Sequence, residues 1–75
     1  MAKAYVKINV EAGKEAAVAK ALKRVPGVAV ADLTSGEQDI IAVVQGKSYD
    51  QIIKVVLGKV RKVKGIKRTV TNLAV

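Results

Sequence analysis

The chain has 75 residues and a formal net charge of +8, with 14 Lys and Arg residues, 6 Asp and Glu residues and no His. A chain this short forms a single domain, residues 1–75, and buries only about 60% of the surface that its unfolded form exposes, so we expect its stability to depend on association with further copies. Because the sequence contains neither Cys nor His, disulfide bonds and nearly all common zinc sites are excluded.

The first two predicted elements are a strand and a helix. Apolar and polar side chains alternate from Ala4 to Val10, the period of two that is typical of a strand with one apolar face. Apolar residues then recur at helical spacing, which predicts a helix from Lys14 to Val25. Pro26 and Gly27 end this helix, because the residue before a proline avoids helical backbone angles and proline has no N–H to donate.

Two further strands, Val28 to Thr34 and Asp39 to Gln45, follow as a predicted antiparallel hairpin. The polar residues 35–38 between them, with Gly36, are typical of a four-residue hairpin loop. The second strand of the pair is apolar on both faces, a pattern that indicates a strand inside the sheet with a cover on each side.

The last predicted elements are a helix from Tyr49 to Val63 and a strand from Ile66 to Ala74. Ser48 and Gln51 form a capping-box pattern that starts the helix, and Gly65 ends it. The apolar stripe of this helix is predicted to comprise Tyr49, Ile52, Ile53, Val56, Val60 and Val63.

The element order is therefore βαββαβ, and the two halves of the chain have similar patterns. Two interleaved right-handed βαβ units predict an α+β, ferredoxin-like fold, in which a four-stranded antiparallel sheet carries both helices on one face. The opposite face of the sheet would be bare. Since the hairpin's second strand is apolar on that face too, we expect the sheet of another subunit to cover it.

Basic residues are concentrated between positions 54 and 68, with no acidic residue among them: Lys54, Lys59, Arg61, Lys62, Lys64, Lys67 and Arg68. Such a segment is either a solvated surface or a patch that attracts polyanions, so a structural or nucleic-acid-associated function is an alternative hypothesis. Sheets of this topology that bind RNA stack bases on aromatic side chains. The exposed strand faces offer only Tyr5, which argues against sequence-specific RNA recognition.

Catalysis and membrane insertion have little support in the sequence. The usual general bases and thiol nucleophiles are missing, because the sequence has neither His nor Cys. Glu37 and Asp39 provide too few ligands to enclose a cation. We therefore expect no enzymatic activity, no cofactor and no metal.

No apolar run approaches the ~18 residues of a membrane span, and the alternating N-terminus is unlike a signal peptide. We therefore expect a cytoplasmic protein.

The hairpin loop is the candidate binding site, because three of the 6 acidic residues lie from Asp32 to Asp39. Gly36 would let the backbone approach a ligand closely and point neighbouring amides at a carboxylate. Asp39 could pair with an ammonium group, and an amino acid carries both groups. The alternative is an ordinary polar turn in which Asp39 accepts hydrogen bonds from local backbone amides.

Almost the whole chain resembles the effector-binding domain, or RAM domain, of the Lrp/AsnC family of transcriptional regulators. The resemblance is carried by "AYVKINVEAGKE", "ALKRVPGV", "SGEQD" followed by "IIAVVQGK", and "VKGIKRTVTNLAV". It implies a ferredoxin-like fold, dimerisation through the sheets, and assembly of dimers into rings, commonly octamers. It also implies an amino acid effector bound between dimers.

The resemblance assigns candidate ligand-binding residues to two segments. The family's Thr-Gly-x-x-Asp hairpin corresponds to Ser35, Gly36, Glu37, Gln38 and Asp39, and its Arg-Thr-x-Thr segment begins at Arg68 and contains Thr69 and Thr71. By this correspondence Asp39 would hold the ligand's ammonium, amides around Gly36 its carboxylate, and Thr69 or Thr71 of a neighbouring subunit would supply hydroxyls.

Two departures from the family pattern affect function. The family often has an aromatic residue where Gln38 stands, so the side-chain preference of the pocket is open. No helix-turn-helix segment precedes the first strand, so we expect no direct, sequence-specific DNA binding by the family's route. The domain would instead act through mixed assemblies with full-length regulators of the family.

Overall fold

The structure, a computed structural model, describes residues 1–36 and 38–75. Its helices and strands are β1 (Ala2–Val10), α1 (Glu15–Lys23), β2 (Val28–Leu33), β3 (Ile40–Gly46), α2 (Tyr49–Val55) and β4 (Ile66–Leu73), and α2 continues directly into a π-helical segment, Val56–Val60. The strands form one antiparallel sheet in the order β2-β3-β1-β4. This confirms the predicted βαββαβ order and the ferredoxin-like α+β fold.

The core lies between the sheet and the helices. Alternate residues of β1 face the helices, and Val6 there lies opposite Ala42 of β3, with both side chains fully buried. The largest side chains that are almost completely buried are Ile8, Leu22, Ile40, Ile52, Val6, Val18, Val44 and Val60. They come from both helical elements and the two central strands, so burial of aliphatic surface joins the layers.

The α1 helix is shorter at both ends than the predicted Lys14 to Val25. At its C-terminal end the N–H groups of Arg24 and Val25 donate to the carbonyls of Ala21 and Leu22, at 3.1 Å and 3.0 Å. These bonds span three residues and tighten the last turn, as is common at helix ends. The chain therefore leaves the α-helical path before Pro26.

The α2 helix begins at the predicted cap, with one difference in its hydrogen bonds. The Ser48 hydroxyl accepts from the N–H of Gln51 at 3.2 Å, as a capping box requires. The Gln51 Oε1 accepts from the N–H of Lys47 at 2.6 Å, one residue before the cap. The side chain of Gln51 thus turns back to fix the chain that enters the helix.

The predicted apolar stripe of α2 is partly wrong. Ile52, Val56 and Val60 are buried, but Tyr49 and Ile53 are 42% and 37% exposed. Ile52 and Ile53 are consecutive residues and lie about 100° apart around an α-helix, so the orientation that directs Ile52 and Val56 at the core leaves Ile53 at the margin of the buried face. The N–H of Arg61 donates to the carbonyl of Val56 at 2.9 Å, and this wider turn keeps Val60 directed at the core.

The other face of the sheet carries apolar side chains and no helix. Tyr5, Val30 and Val70 are each 40% exposed there, and Ile41 and Val43 are half-buried. The expected apolar open face is therefore present, and its cover by a second subunit stays a prediction. Within the ranges 1–36 and 38–75, no helix has the length and hydropathy needed to cross a membrane.

Candidate functional site

Two hydrogen bonds from Thr34 hold together the base of the hairpin loop. Its N–H donates to the carbonyl of Asp39 at 3.0 Å, and its hydroxyl donates to the carbonyl of Gln38 at 2.6 Å. These bonds enclose the predicted loop, residues 35–38, in which Glu37 lies outside the described residues. Gly36 has a φ of +141°, a conformation that glycine favours, and no described atom beyond its chain neighbours lies within 4 Å of the position of a Cβ there.

Asp39 connects the loop to the end of the central strand. Its N–H donates to the carbonyl of Ile8 at 3.0 Å, and its Oδ2 accepts from the N–H of Val10 at 2.8 Å. Asp39 therefore accepts from a backbone amide, as the alternative hypothesis predicted. The amide belongs to Val10 of β1, however, and not to the turn. A carboxylate has about four acceptor positions, so this bond leaves it able to accept from a ligand.

The Asp39 side chain lines a depression of 670 Å³ on the open side of the sheet. The other residues around this depression are Lys7, Asn9, Val10, Gln38, Lys67, Arg68 and Val70. The β1–β4 register explains their proximity, because Lys7 lies opposite Val70 and Asn9 lies opposite Arg68. We call this depression the Asp39 site; its lining within residues 1–36 and 38–75 combines one carboxylate with two ammonium groups and one guanidinium.

The predicted site residues fall into three groups. Gln38 and Asp39 line the Asp39 site, whereas Ser35 and Gly36 belong to the neighbouring loop and are not among its lining residues. Thr69 lies opposite Ile8, and Thr71 likewise pairs with a buried residue of β1. Both threonines therefore point to the helix side of the sheet, away from the Asp39 site of their own chain.

The sequence reasoning missed the basic residues that line the Asp39 site. Lys7 and Asn9 alternate with buried residues of β1, which already places them on the open face. Pairing β1 with an antiparallel β4 would have brought Arg68 onto the same face. The alternation in β1 indicates which of its side chains lie on the open face. The approach of Arg68 to them follows only from the register between β1 and β4, two strands that are distant in sequence.

A second depression, of 660 Å³, lies at the opposite end of the sheet. Its lining consists of Met1, Gly27, Val28, Ala29, Gln45, Gly46, Lys47 and Gln51. Its described lining contains no carboxylate side chain, so it offers no negatively charged partner for an ammonium group. Within residues 1–36 and 38–75 there is no group of three or more acidic side chains that could hold a metal ion.

Several known proteins are similar to this chain in sequence. A family model described as the Lrp/AsnC ligand binding domain matches residues 3–75. An uncharacterized HTH-type transcriptional regulator of Pyrococcus horikoshii is 35% identical over 57 residues, which are 76% of this chain and only 38% of that regulator.

Solved structures show the same fold. A hypothetical protein from Pyrococcus horikoshii has a TM-score of 0.92 and 31% identity, over 100% of this chain and 90% of its own. A transcriptional regulator from Neisseria meningitidis, solved as a complex with L-methionine, has a TM-score of 0.83 over 99% of this chain and 49% of its own. At 14% identity, the second likeness shows the fold alone.

Proposed function

This chain belongs to the family of Lrp/AsnC ligand-binding domains, and from that premise we propose that it binds an amino acid effector at the Asp39 site and thereby serves the regulation of transcription. The observation that carries the proposal is the meeting of a carboxylate with three cationic side chains in one depression. An amino acid is a zwitterion, so a site with charges of both signs can hold both of its ends.

The two ends of the ligand would have different partners. Asp39 accepts from the ligand's ammonium through the acceptor positions that the Val10 amide leaves open. Arg68, which lines the Asp39 site, holds the carboxylate. The backbone amides around Gly36, in the neighbouring loop, are the alternative partner of the carboxylate. Thr69 and Thr71 lie on the other side of the sheet, so in this proposal their hydroxyls reach an Asp39 site on a neighbouring subunit.

Assembly is the second part of the proposal. The open face carries the exposed apolar side chains of Tyr5, Val30 and Val70, and a second copy of the sheet would remove them from water. Such dimers would assemble into rings, and the same surfaces would let the domain join full-length regulators of its family. Light scattering tests this part, and a stable monomer at micromolar concentration would contradict it.

Calorimetric titration with the twenty amino acids tests the binding site. The wild type should bind at least one of them, and Asp39→Asn should weaken that binding because it removes the charge while keeping an oxygen that can accept from Val10. The matched control is Asp32→Asn, which changes an exposed carboxylate of β2 outside the Asp39 site. The absence of any binding by the wild type at millimolar ligand would refute amino acid sensing.

A second candidate function is association with polyanions. The seven basic residues between positions 54 and 68 are all exposed, from Lys54 on α2 to Arg68 on β4. Nonspecific binding of nucleic acid through such residues weakens steeply as salt increases. Gel-shift assays at increasing salt measure this dependence, and no shift at low salt would exclude this function.

A further inference from the structure

The Asp39 site has more positive charge than a neutral amino acid needs. Among the residues that the structure describes, Lys7, Lys67 and Arg68 line it together with the carboxylate of Asp39. The ammonium and carboxylate of a neutral amino acid would pair with Asp39 and one of the cations. Two cationic side chains would remain without an anionic partner from the ligand.

We infer that the effector is an acidic amino acid, with a second carboxylate on its side chain. This inference rests on the proposed function and names the ligand class of the same site. A ligand with one positive and two negative groups matches the site better than a neutral amino acid, because its second carboxylate pairs with a further cation.

The positions of the charges fit such a ligand. Asp39 immediately precedes β3 on one side of β1, and Arg68 lies in β4 on the other side, where it pairs with Asn9. Strands in a sheet are about 4.8 Å apart, so the backbones at Asp39 and Arg68 are separated by about 10 Å. Both residues line the same depression, so one ligand that extends across it could contact both side chains.

Asp39 also distinguishes an acidic amino acid from a simple anion. A dicarboxylic acid or an inorganic phosphate has no ammonium group, so it would place negative charge beside the Asp39 carboxylate without a compensating bond. The cations alone would favour any anion. Asp39 and the cations together favour a ligand that carries charges of both signs.

Paired titrations of the wild type test this inference. Glutamate should bind at least about tenfold more tightly than glutamine, and aspartate more tightly than asparagine, because each pair differs mainly by one charge-assisted interaction. Glutarate, which lacks the ammonium group, should bind more weakly than glutamate. Equal or tighter binding of the neutral amides would overturn the inference while leaving the proposed function intact.

Two variants assign the second carboxylate to its partners. Arg68→Gln and Lys7→Gln should each reduce the ratio of glutamate to glutamine affinity, whereas Arg24→Gln, at an exposed position after α1, should leave it unchanged. If neither Arg68→Gln nor Lys7→Gln changes the ratio, the assignment of the site to an acidic side chain is wrong. If the wild type binds none of the twenty amino acids, the proposed function fails together with this inference.

Discussion

The carboxylate of Asp39 accepts a hydrogen bond from the backbone N–H of Val10, 29 positions earlier in the chain, at 2.8 Å. Ile40 of β3 pairs with Ile8 of β1, and just beyond that pair the carboxylate of Asp39 accepts from the backbone of β1. The hairpin loop is thereby fixed to the central strand. The same carboxylate is the one that we assign to the ligand's ammonium.

Asp39→Ala should lower the free energy of unfolding by about 1 kcal/mol, since it leaves a partly buried amide without this acceptor. Asp39→Asn should cost less, because the amide oxygen can still accept. Urea unfolding measures both values. Asp32→Ala is the control, and a change there as large as that of Asp39→Ala would show that the effect comes from net charge and not from the Val10 bond.

Leu22→Ala should lower the free energy of unfolding by about 2–5 kcal/mol, because Leu22 is fully buried and its truncation leaves a cavity. A domain this small has a low free energy of unfolding, so the midpoint temperature of thermal unfolding should be far lower in this variant than in the wild type. Leu57→Ala, at a side chain that is 52% exposed, should change stability much less. Equal losses in the two variants would contradict the position of the core.

Two glycine substitutions should have opposite effects on stability. Gly65 has a φ of +102°, and a Cβ there would lie 3.1 Å from Val18 Cγ2 and 3.2 Å from Lys14 Cβ, so Gly65→Ala should be destabilising by more than about 1 kcal/mol. Gly58 lies within the π-helical segment, and among the described atoms a Cβ there meets nothing within 4 Å. Gly58→Ala should therefore stabilise by about 0.5–1 kcal/mol. Thermal melts of both variants check the two signs.

Ser48→Ala should lower the free energy of unfolding by about 1 kcal/mol, because its hydroxyl accepts from the N–H of Gln51 at the start of α2. Amide hydrogen exchange should increase first at Gln51 in this variant. Ser35→Ala, in the hairpin loop, is the matched control. An unchanged exchange rate at Gln51 would mean that the cap does not protect the first turn.

The fold was largely predictable because short-range patterns determined it. The alternation in β1, the break at Pro26 and the cap at Ser48 each gave an element its type and approximate bounds. The ends were less accurate, because the last turn of α1 tightens and β1 extends back to Ala2. The exact ends of these elements depend on individual backbone hydrogen bonds, which cannot be predicted from the spacing of apolar residues.

The site was less predictable than the fold. Asp39 was identified from its place after a glycine in a hairpin, but its bond to Val10 joins elements that are far apart in sequence. Lys7 and Arg68 came to the same depression only through the β1–β4 register. Charge near a loop is visible in a sequence, whereas the set of charges that share one depression depends on the strand pairing.

The wide turn between Val56 and Val60 has a consequence for how the length of this domain can vary. A single-residue deletion there would turn the wide turn into an ordinary α-helical turn and leave the residues on either side in nearly the same orientation toward the sheet. The side chain that corresponds to Val60 would therefore stay directed at the core, and the chain would still approach β4 from the same direction. A homologue that is one residue shorter at this place needs no compensating apolar substitutions further along, so an alignment gap here should leave the hydrophobic positions unshifted.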